Sequence, residues 1–322
     1  MLSPLKKFLA GAAVALLAAS PVLAQTTKLR VSTIPIIDTA PLQAAMAKGF
    51  FAAEGLEVDT TPTQGGAVGL PALAAGQVQI TFSNIISIAL GVKQGLPFQI
   101  IAAGAGTGDT APDLAGLVAK SGSTIKTGKD LEGKRVAVNT RNGVIWLFAR
   151  AWVQATGGDA DKVTYLEVPF PQMTDAIRGD RVDAAFIVEP FLSGALAPGG
   201  GAQLVGWPYN TVQKRVPVGM YVSTESYIKA NPGVIEKFTR AYNKGVDWIN
   251  ANKGSEEWLK IISDYTRMKP EQLKGLNLPP YEKTLDAPGI DKMTDLMVKH
   301  KMIDAKPDAK ALLYRTVVQA PR

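Results

Sequence analysis

The 322-residue chain has no cysteine and a single histidine, His300. The first absence removes disulfides, thiol nucleophiles, iron–sulfur clusters and cysteine-bound zinc together. The second leaves neither a multi-histidine metal site nor a histidine-based triad. Long runs of one charge are missing too, so nucleic-acid recognition has no footprint here. The formal net charge of +7 includes Lys6 and Lys7. The mild balance left over suits an anionic small ligand and suits an ordinary soluble protein equally well. No phosphate-cradling Gly-Lys-Ser/Thr segment and no Gly-x-Ser-x-Gly nucleophile turn occurs. Gly104-Ala105-Gly106-Thr107-Gly108 suggests a dinucleotide loop only superficially, because Asp109 stands where the third glycine is required. Nothing in the sequence calls for a cofactor or a metal.

The N-terminus reads as an address. Lys6-Lys7 give a positive start, residues 8–19 an uncharged apolar run, and Val22-Leu23-Ala24 a small-residue cleavage site before Gln25. The apolar run is too short to cross a hydrocarbon core of about 30 Å as a helix. A signal peptide is therefore expected over residues 1–24. With no cysteine at the cleavage site, the expected product is exported, periplasmic, soluble and not lipid-anchored. What remains is long enough for two lobes of ordinary domain size, stabilised by packing alone.

The chain also repeats itself. Residues 72–82 (ALAAGQVQITF) return as 176–186 (AIRGDRVDAAF), and Arg30-Val31 returns as Arg135-Val136, at an offset of about one hundred residues. Hydrophobic periodicity predicts strands at 29–33, 56–61, 79–83 and 98–103, with helices over 42–54, 68–75 and 84–94 between them. The second copy has strands at 114–120, 135–139, 163–167 and 184–188, and helices over 144–156, 171–178 and 190–197. A return through 207–217 leads to a strand at 218–223. Helices then follow over 232–252, 255–265, 289–300 and 309–318. Such alternation predicts α/β architecture with two mostly parallel sheets covered by helices on both faces. The glycine- and threonine-rich stretch 104–112 is the expected first crossing between lobes. The expected division is 25–110 with 219–322 in one lobe and 111–218 in the other.

In such sheets ligands bind outside the carboxyl ends of the strands. That rule selects the loops at 34–40, 62–68 and 83–84 in one lobe, and at 140–143, 169–173 and 189–190 in the other. Most run into a helix start, where unpaired N–H groups and the positive end of the dipole favour an anion. Gly65-Gly66 permits close approach of a ligand to backbone, or is an ordinary turn. Arg141 is able to bond two carboxylate oxygens, or is a solvated loop charge. Ser83 and Asn84 suit an N-cap as well as a ligand contact. Glu189, between an apolar strand and a proline, points either to the cleft or to the hinge, where it would accept from the ligand or hold Arg141. Trp207, Tyr209 and Tyr221 near the return crossing stack on a ligand or fill the core.

The segment Gly49-Phe50-Phe51-Ala52-Ala53-Glu54-Gly55-Leu56-Glu57-Val58 carries a further signal. So do the Ala-Leu-x-x-Gly-x-Val segment at 72–78, Gly133-Lys134-Arg135-Val136-Ala137-Val138, and Val182-Asp183-Ala184 leading to Glu189-Pro190. In this order they resemble the NMT1/THI5-like periplasmic solute-binding proteins of ABC importers for nitrate, sulfonates, taurine and thiamine-pyrimidine precursors. The resemblance implies a two-lobed, type II-like periplasmic binding protein fold with two hinge crossings. It implies no catalysis, no cofactor, a monomer, and two partners: a small-molecule ligand and an inner-membrane ABC permease. It also implies that Ile36, Asp38 and Thr39 after the first strand face the ligand, with Gly65, Gly66, Ser83 and Asn84 from the same lobe. From the other lobe it implies Thr140, Arg141, Asn142, Gly143 and Glu189; Asn139 at its strand end, Phe170 in the loop 169–173 and Tyr221 near the return are further candidates read from the residues themselves. The first loop, Ile34-Pro35-Ile36-Ile37-Asp38-Thr39, is unusually apolar for this family and favours an organic anion, a sulfonate or carboxylate with a hydrophobic or aromatic body, over nitrate. Two alternatives stay open: a pyrimidine-precursor binder or synthase-like enzyme, for which the iron-binding cysteines and histidine are lacking, and a ligand-loaded partner of a sensor.

Overall fold

In the computed structural model, residues 26–285 and 287–318 are described, and the expected signal peptide lies outside them. The strands are β1 (Thr27–Thr33), β2 (Leu56–Pro62), β3 (Ile80–Ser83), β4 (Phe98–Ala103), β5 (Ala115–Lys120), β6 (Arg135–Val138), β7 (Thr164–Glu167), β8 (Ala184–Val188), β9 (Ala202–Gly206) and β10 (Met220–Thr224). They form two five-stranded sheets, ordered β2-β1-β3-β10-β4 and β7-β6-β8-β5-β9. The two orders correspond position by position, which is the sequence repeat expressed as structure. β1 runs parallel to β2 and β3, and β6 parallel to β7 and β8.

The sheets are mixed rather than mostly parallel. β10 is antiparallel to β3 and β4, and β5 is antiparallel to β8 and β9. Each sheet takes its fourth strand from chain that has just crossed from the other half, and that strand runs the opposite way. The strand at the centre of the second sheet is apolar throughout because helices cover both faces. All five residues of β8, Ala-Ala-Phe-Ile-Val, are buried.

The helix expected over 42–54 is two, Ala40–Ala47 and Phe50–Ala53, because Gly49 between them adopts φ +69°. β9 and the short helices Pro208–Val212 and Glu225–Ala230 fall where the sequence suggested only connections. Near the C-terminus the helix expected over 309–318 stops at Leu312. The chain then adds a bridge from Leu313 to Ile100. The long helix Pro232–Asn252 forms as read, from Pro at its first turn.

Two crossings join the halves, one between β4 and β5 and one between β9 and β10. They hydrogen-bond to each other: Thr107 N–H donates to Val216 O (2.9 Å), and Val218 and Gly219 N–H both donate to Ala105 O (3.0 and 3.1 Å). Arg215 forks onto both oxygens of Asp109 at 3.0 Å. Beside them, Tyr221 is fully buried among Phe82, Phe238 and Tyr242, at ring-centroid distances of 5.2, 6.0 and 5.0 Å. It is a core aromatic of the first sheet and does not face the cleft, a correction to its expected place. Among the described residues no helix is long and apolar enough to cross a membrane.

Candidate functional site

The loops at the carboxyl ends of both sheets meet across one cleft. Its inner part is a narrow cavity of about 30 Å³ lined by Ile34, Ile36, Asp38, Gly66, Phe82, Ser83, Asn84, Asn139, Val144, Ile145, Phe170, Val188, Tyr209 and Val218. A wider cavity of about 250 Å³ adjoins it, sharing Ile34, Ile36 and Phe170 and adding Pro35, Pro62, Thr63, Gln64, Pro169, Pro171 and Phe191. In the closed arrangement the inner cavity has room for about one water.

Four helices, each of eight residues or more, begin at this cavity: Gly66–Ala74, Ile85–Lys93, Val144–Ala155 and Phe170–Arg178. Two come from each half. The sequence starts them there for local reasons. Asn84 caps Ile85–Lys93 by accepting from Ser87 N–H (3.1 Å), and Pro171 occupies the first turn of Phe170–Arg178. Their first N–H groups and aligned dipoles make the cavity rim favourable for an acceptor or anionic group.

The cleft is latched by polar contacts between the halves. Gln64 Nε2 donates to Asn139 O (2.7 Å) and Asn139 Nδ2 donates back to Gln64 O (3.2 Å). Ser87 Oγ donates to Asn142 O (3.1 Å). The fit here depends on Gly65, where an added Cβ would lie 2.6 Å from Thr140 Cγ2 and 2.8 Å from Asn139 Nδ2. Gly65 is extended at φ −172°, so its requirement is the close approach of the opposite lobe and not its backbone angle.

Of the residues selected from the sequence, Ile36, Asp38, Gly66, Ser83, Asn84, Asn139 and Phe170 line the cavity. Gly65, Thr140, Asn142 and Gly143 form the contact between lobes around it. Thr39 supports the first loop, its hydroxyl donating to Ile34 O and Ile36 O at 2.9 and 3.0 Å.

Arg141 does not reach the cavity. Its guanidinium donates to Tyr165 O (2.8 Å) and its N–H to Glu167 Oε1 (2.5 Å), so it braces the end of β7 from an exposed loop. Glu189 does not hold Arg141 either. Its Oε1 accepts from Ser193 Oγ (2.7 Å), Asn277 N–H (3.0 Å) and Asn277 Nδ2 (3.1 Å), and its Oε2 from Ser193 N–H (3.0 Å). Burial raises the Glu189 carboxyl above the usual carboxylate range, against those hydrogen bonds. Its carbonyl accepts from Ile37 N–H (3.1 Å), so Glu189 ties β8 to the first loop and to the segment around Asn277.

The residues that pattern reading did not single out are apolar: Phe82, Val144, Ile145, Val188 and Val218. They sit at strand ends and helix starts, where a buried side chain has no sequence mark to separate it from core. Trp207 is absent from the lining, and Tyr209 is in it.

Among the described residues, Asp38 is the one charged side chain lining the inner cavity. It is 1 % exposed, and its Oδ1 has no hydrogen-bond partner. Burial raises its carboxyl to about 7, with a further push from the Asp113 charge. Asp113, at the start of the second half, is itself raised by burial to about 6, although Leu114 N–H and Asn210 Nδ2 donate to it.

The NMT1/THI5-like family matches residues 36–254 of this chain, well over half of it. The chain belongs to the NMT1/THI5-like family. Relatives within reach of this family member differ in what their names say they handle. The nitrate/nitrite binding protein NrtA of Nostoc sp. is 26 % identical over 74 % of this chain and 58 % of its own length. The riboflavin-binding protein RibY of Chloroflexus aurantiacus is 29 % identical over 73 % of this chain and 65 % of its own. The chain thus spans under two thirds of both. A 4-amino-5-hydroxymethyl-2-methylpyrimidine phosphate synthase of Aspergillus parasiticus is 22 % identical over 76 % of this chain and 71 % of its own. Among solved structures, the alkanesulfonate-binding protein SsuA of Xanthomonas axonopodis pv. citri, bound to MOPS, superposes with a TM-score of 0.77 at 16 % identity, covering 90 % of this chain and 99 % of that one. The periplasmic nitrate-binding protein NrtA of Synechocystis PCC 6803 gives 0.71 at 17 % identity, over 89 % and 85 %. These likenesses establish the two-lobed fold of this NMT1/THI5-like protein.

Proposed function

We propose that this protein is the periplasmic solute-binding component of an ABC importer, enclosing a small organic solute between its lobes and presenting the closed form to an inner-membrane permease. The observation that carries the reading is the convergence of four helix starts, two from each half, on one narrow cavity between the lobes. Residues 26–110 with 219–318 close on 111–218 about the two paired crossings. Helix termini at the rim favour an acceptor or anionic group on the solute, such as a carboxylate or sulfonate, and do so without Arg141. Ile34, Ile36, Phe82, Phe170, Val188 and Val218 favour an apolar or aromatic body over bare nitrate. The names of the relatives support solute binding as the shared role and differ in the solute.

One relative is a synthase, yet this chain has no cysteine, and its one histidine stands just past the helix Ala287–Lys299. Binding without catalysis is the reading we adopt. The test is mass spectrometry of small molecules released by denaturing the purified protein, followed by thermal shift of the stripped protein with each one recovered. The expected result is one species at near-equal stoichiometry that raises the melting temperature. No retained molecule, together with no shift from sulfonates, aromatic carboxylates, aminopyrimidines or nitrate, overturns it.

A further inference from the structure

Asp38 combines two features that are costly apart and informative together. Its carboxyl lines the cavity with Oδ1 unpartnered and almost no solvent contact. Buried polar groups are ordinarily paired, and an unpaired one calls for an explanation. The backbone that carries it is, by contrast, held from every side. Ile37 N–H donates to Glu189 O (3.1 Å), Tyr265 Oη to Ile36 O (3.0 Å) and Tyr281 Oη to Ile37 O (2.8 Å). Thr39 Oγ1 adds its bonds to Ile34 O and Ile36 O. A loop fixed by three other segments and by its own Thr39, around a carboxyl with one unpartnered oxygen, is the arrangement expected of a preorganised contact.

No ammonium or guanidinium group lines the cavity to offset that carboxyl. The other titratable groups around it are Asp113 on the first crossing, Tyr209 from the helix Pro208–Val212, Tyr221 on β10, Tyr242 in the helix Pro232–Asn252, Tyr265 in the helix Glu256–Thr266, and Tyr281. Burial, with a smaller push from the Asp38 charge, raises all five phenols, so they remain neutral at physiological pH. Asp113 is the wrong sign and already has its own donors. Among the described residues an ionised Asp38 therefore has no ammonium or guanidinium counter-charge in the cavity wall, only the partial positive ends of the helices.

We infer that Asp38 is the polar anchor of the cleft and that the solute offers it an N–H donor, best a cationic one such as an amidinium or a protonated amine. This rests on the reading of the cleft as a solute site. The solute then has two ends: an acceptor at the helix termini and a donor at Asp38. Single-carboxylate chemistry also separates this from a metal site, and among the described residues no group of three or more ligating side chains could hold one.

Charge fixes the sign of the test. A cation pairs with ionised Asp38, so its affinity rises as pH rises through the titration of that carboxyl; an anion requires the neutral form, so its affinity falls. Two flat probes of matched size, benzamidine and benzoate, are titrated against the stripped full-length protein at pH 5.5 and 8.5, in wild type and in Asp38→Asn. Asp38→Asn keeps the Asp113 titration, which isolates the part due to Asp38. The expected result is benzamidine binding at least tenfold tighter at pH 8.5 than at 5.5 in wild type, with that dependence and most of the affinity gone in Asp38→Asn. Benzoate binding that is tighter than benzamidine and weakens with pH overturns the anchor and leaves the solute site standing. Equal benzamidine affinity in the two proteins, or no binding of either probe at millimolar concentration, also overturns it. The wild-type pH arm needs no variant to fold.

Discussion

Gln64 and Asn139 each donate a side-chain amide hydrogen to the other's backbone carbonyl, across the gap between two sheets that share no strand. The pair exists only when the lobes are shut. A typical internal hydrogen bond contributes about 0.5–1.5 kcal/mol, so losing both costs the closed form roughly 1–3 kcal/mol. Asn139→Ala, which removes one bond and the shape around the other, is expected to shift the open–closed balance about tenfold toward open. Single-molecule energy transfer between dyes on the two lobes measures that balance, and an unchanged distribution in Asn139→Ala contradicts the latch.

Gly65 makes a sharper case, because its neighbours belong to the other lobe. Gly65→Ala places a methyl 2.6 Å from Thr140 Cγ2 when the cleft shuts and leaves each lobe intact when it is open. Solute affinity is expected to fall tenfold or more while the denaturation midpoint moves little. Thr140→Ala in the same chain removes two of the three obstructing atoms, leaving Asn139 Nδ2 at 2.8 Å, and is expected to restore part of the affinity. A Gly65→Ala protein that unfolds early would show instead that Gly65 supports its own lobe.

Glu189 predicts a loss of stability. Its two oxygens accept four hydrogen bonds, from Ser193 and Asn277, in a fully buried position. Glu189→Ala strands those donors, and leaving buried groups unpaired costs about 1–3 kcal/mol each site before any cavity term. Denaturant melts are expected to show destabilisation of about 3 kcal/mol, with Ser193→Ala well below that. Equal effects from the two variants would remove Glu189 from its place as the tie between β8 and the segment around Asn277.

Burial raises the Asp38 carboxyl to about 7 and Asp113 to about 6, so both bind protons more tightly folded than unfolded. The folded state then holds more protons than the unfolded one between the unfolded carboxylate value near 4 and those raised values. Their contribution is complete below about pH 4 and is lost as pH rises through 6 to 7. Solute-free protein is expected to lose stability across that window from these two groups. Asp38→Asn, uncharged at every pH, is expected to flatten the upper part of the slope. Thermal melts at pH steps check it, and a slope identical in the two proteins contradicts it.

Much of this was legible in the chain. The repeat at 72–82 and 176–186 foretold two matching halves, because each copy ends one strand–helix–strand unit that the fold preserves in both sheets. Gly65, Asn84 and Asn139 were readable as cleft residues because strand ends in α/β sheets select their own loops. Strand direction was not: both crossings were readable, but nothing in the residues of β5 or β10 records that a strand entering from a crossing runs antiparallel to its neighbours. The direction of Arg141 was equally hidden, since only the folded position of β7 brings the Tyr165 carbonyl within its reach. Apolar wall residues such as Val144 and Val218 carry no mark that distinguishes them from core. The unpartnered state of Asp38 depends on where the tyrosines of distant helices fall, which no local pattern states.

The central claim is closure of the two halves on a solute, and the cysteine-free chain allows it to be measured directly. Val68, half-exposed beside one side of the cleft, and Gln172, exposed beside the other, are replaced by cysteine and spin-labelled, and the distance between the labels is measured with and without the solute recovered from the purified protein. The account predicts a broad distribution that narrows and shortens when the solute is added, and much less so in Gly65→Ala. One distance, the same with solute, without it and in the variant, would contradict it.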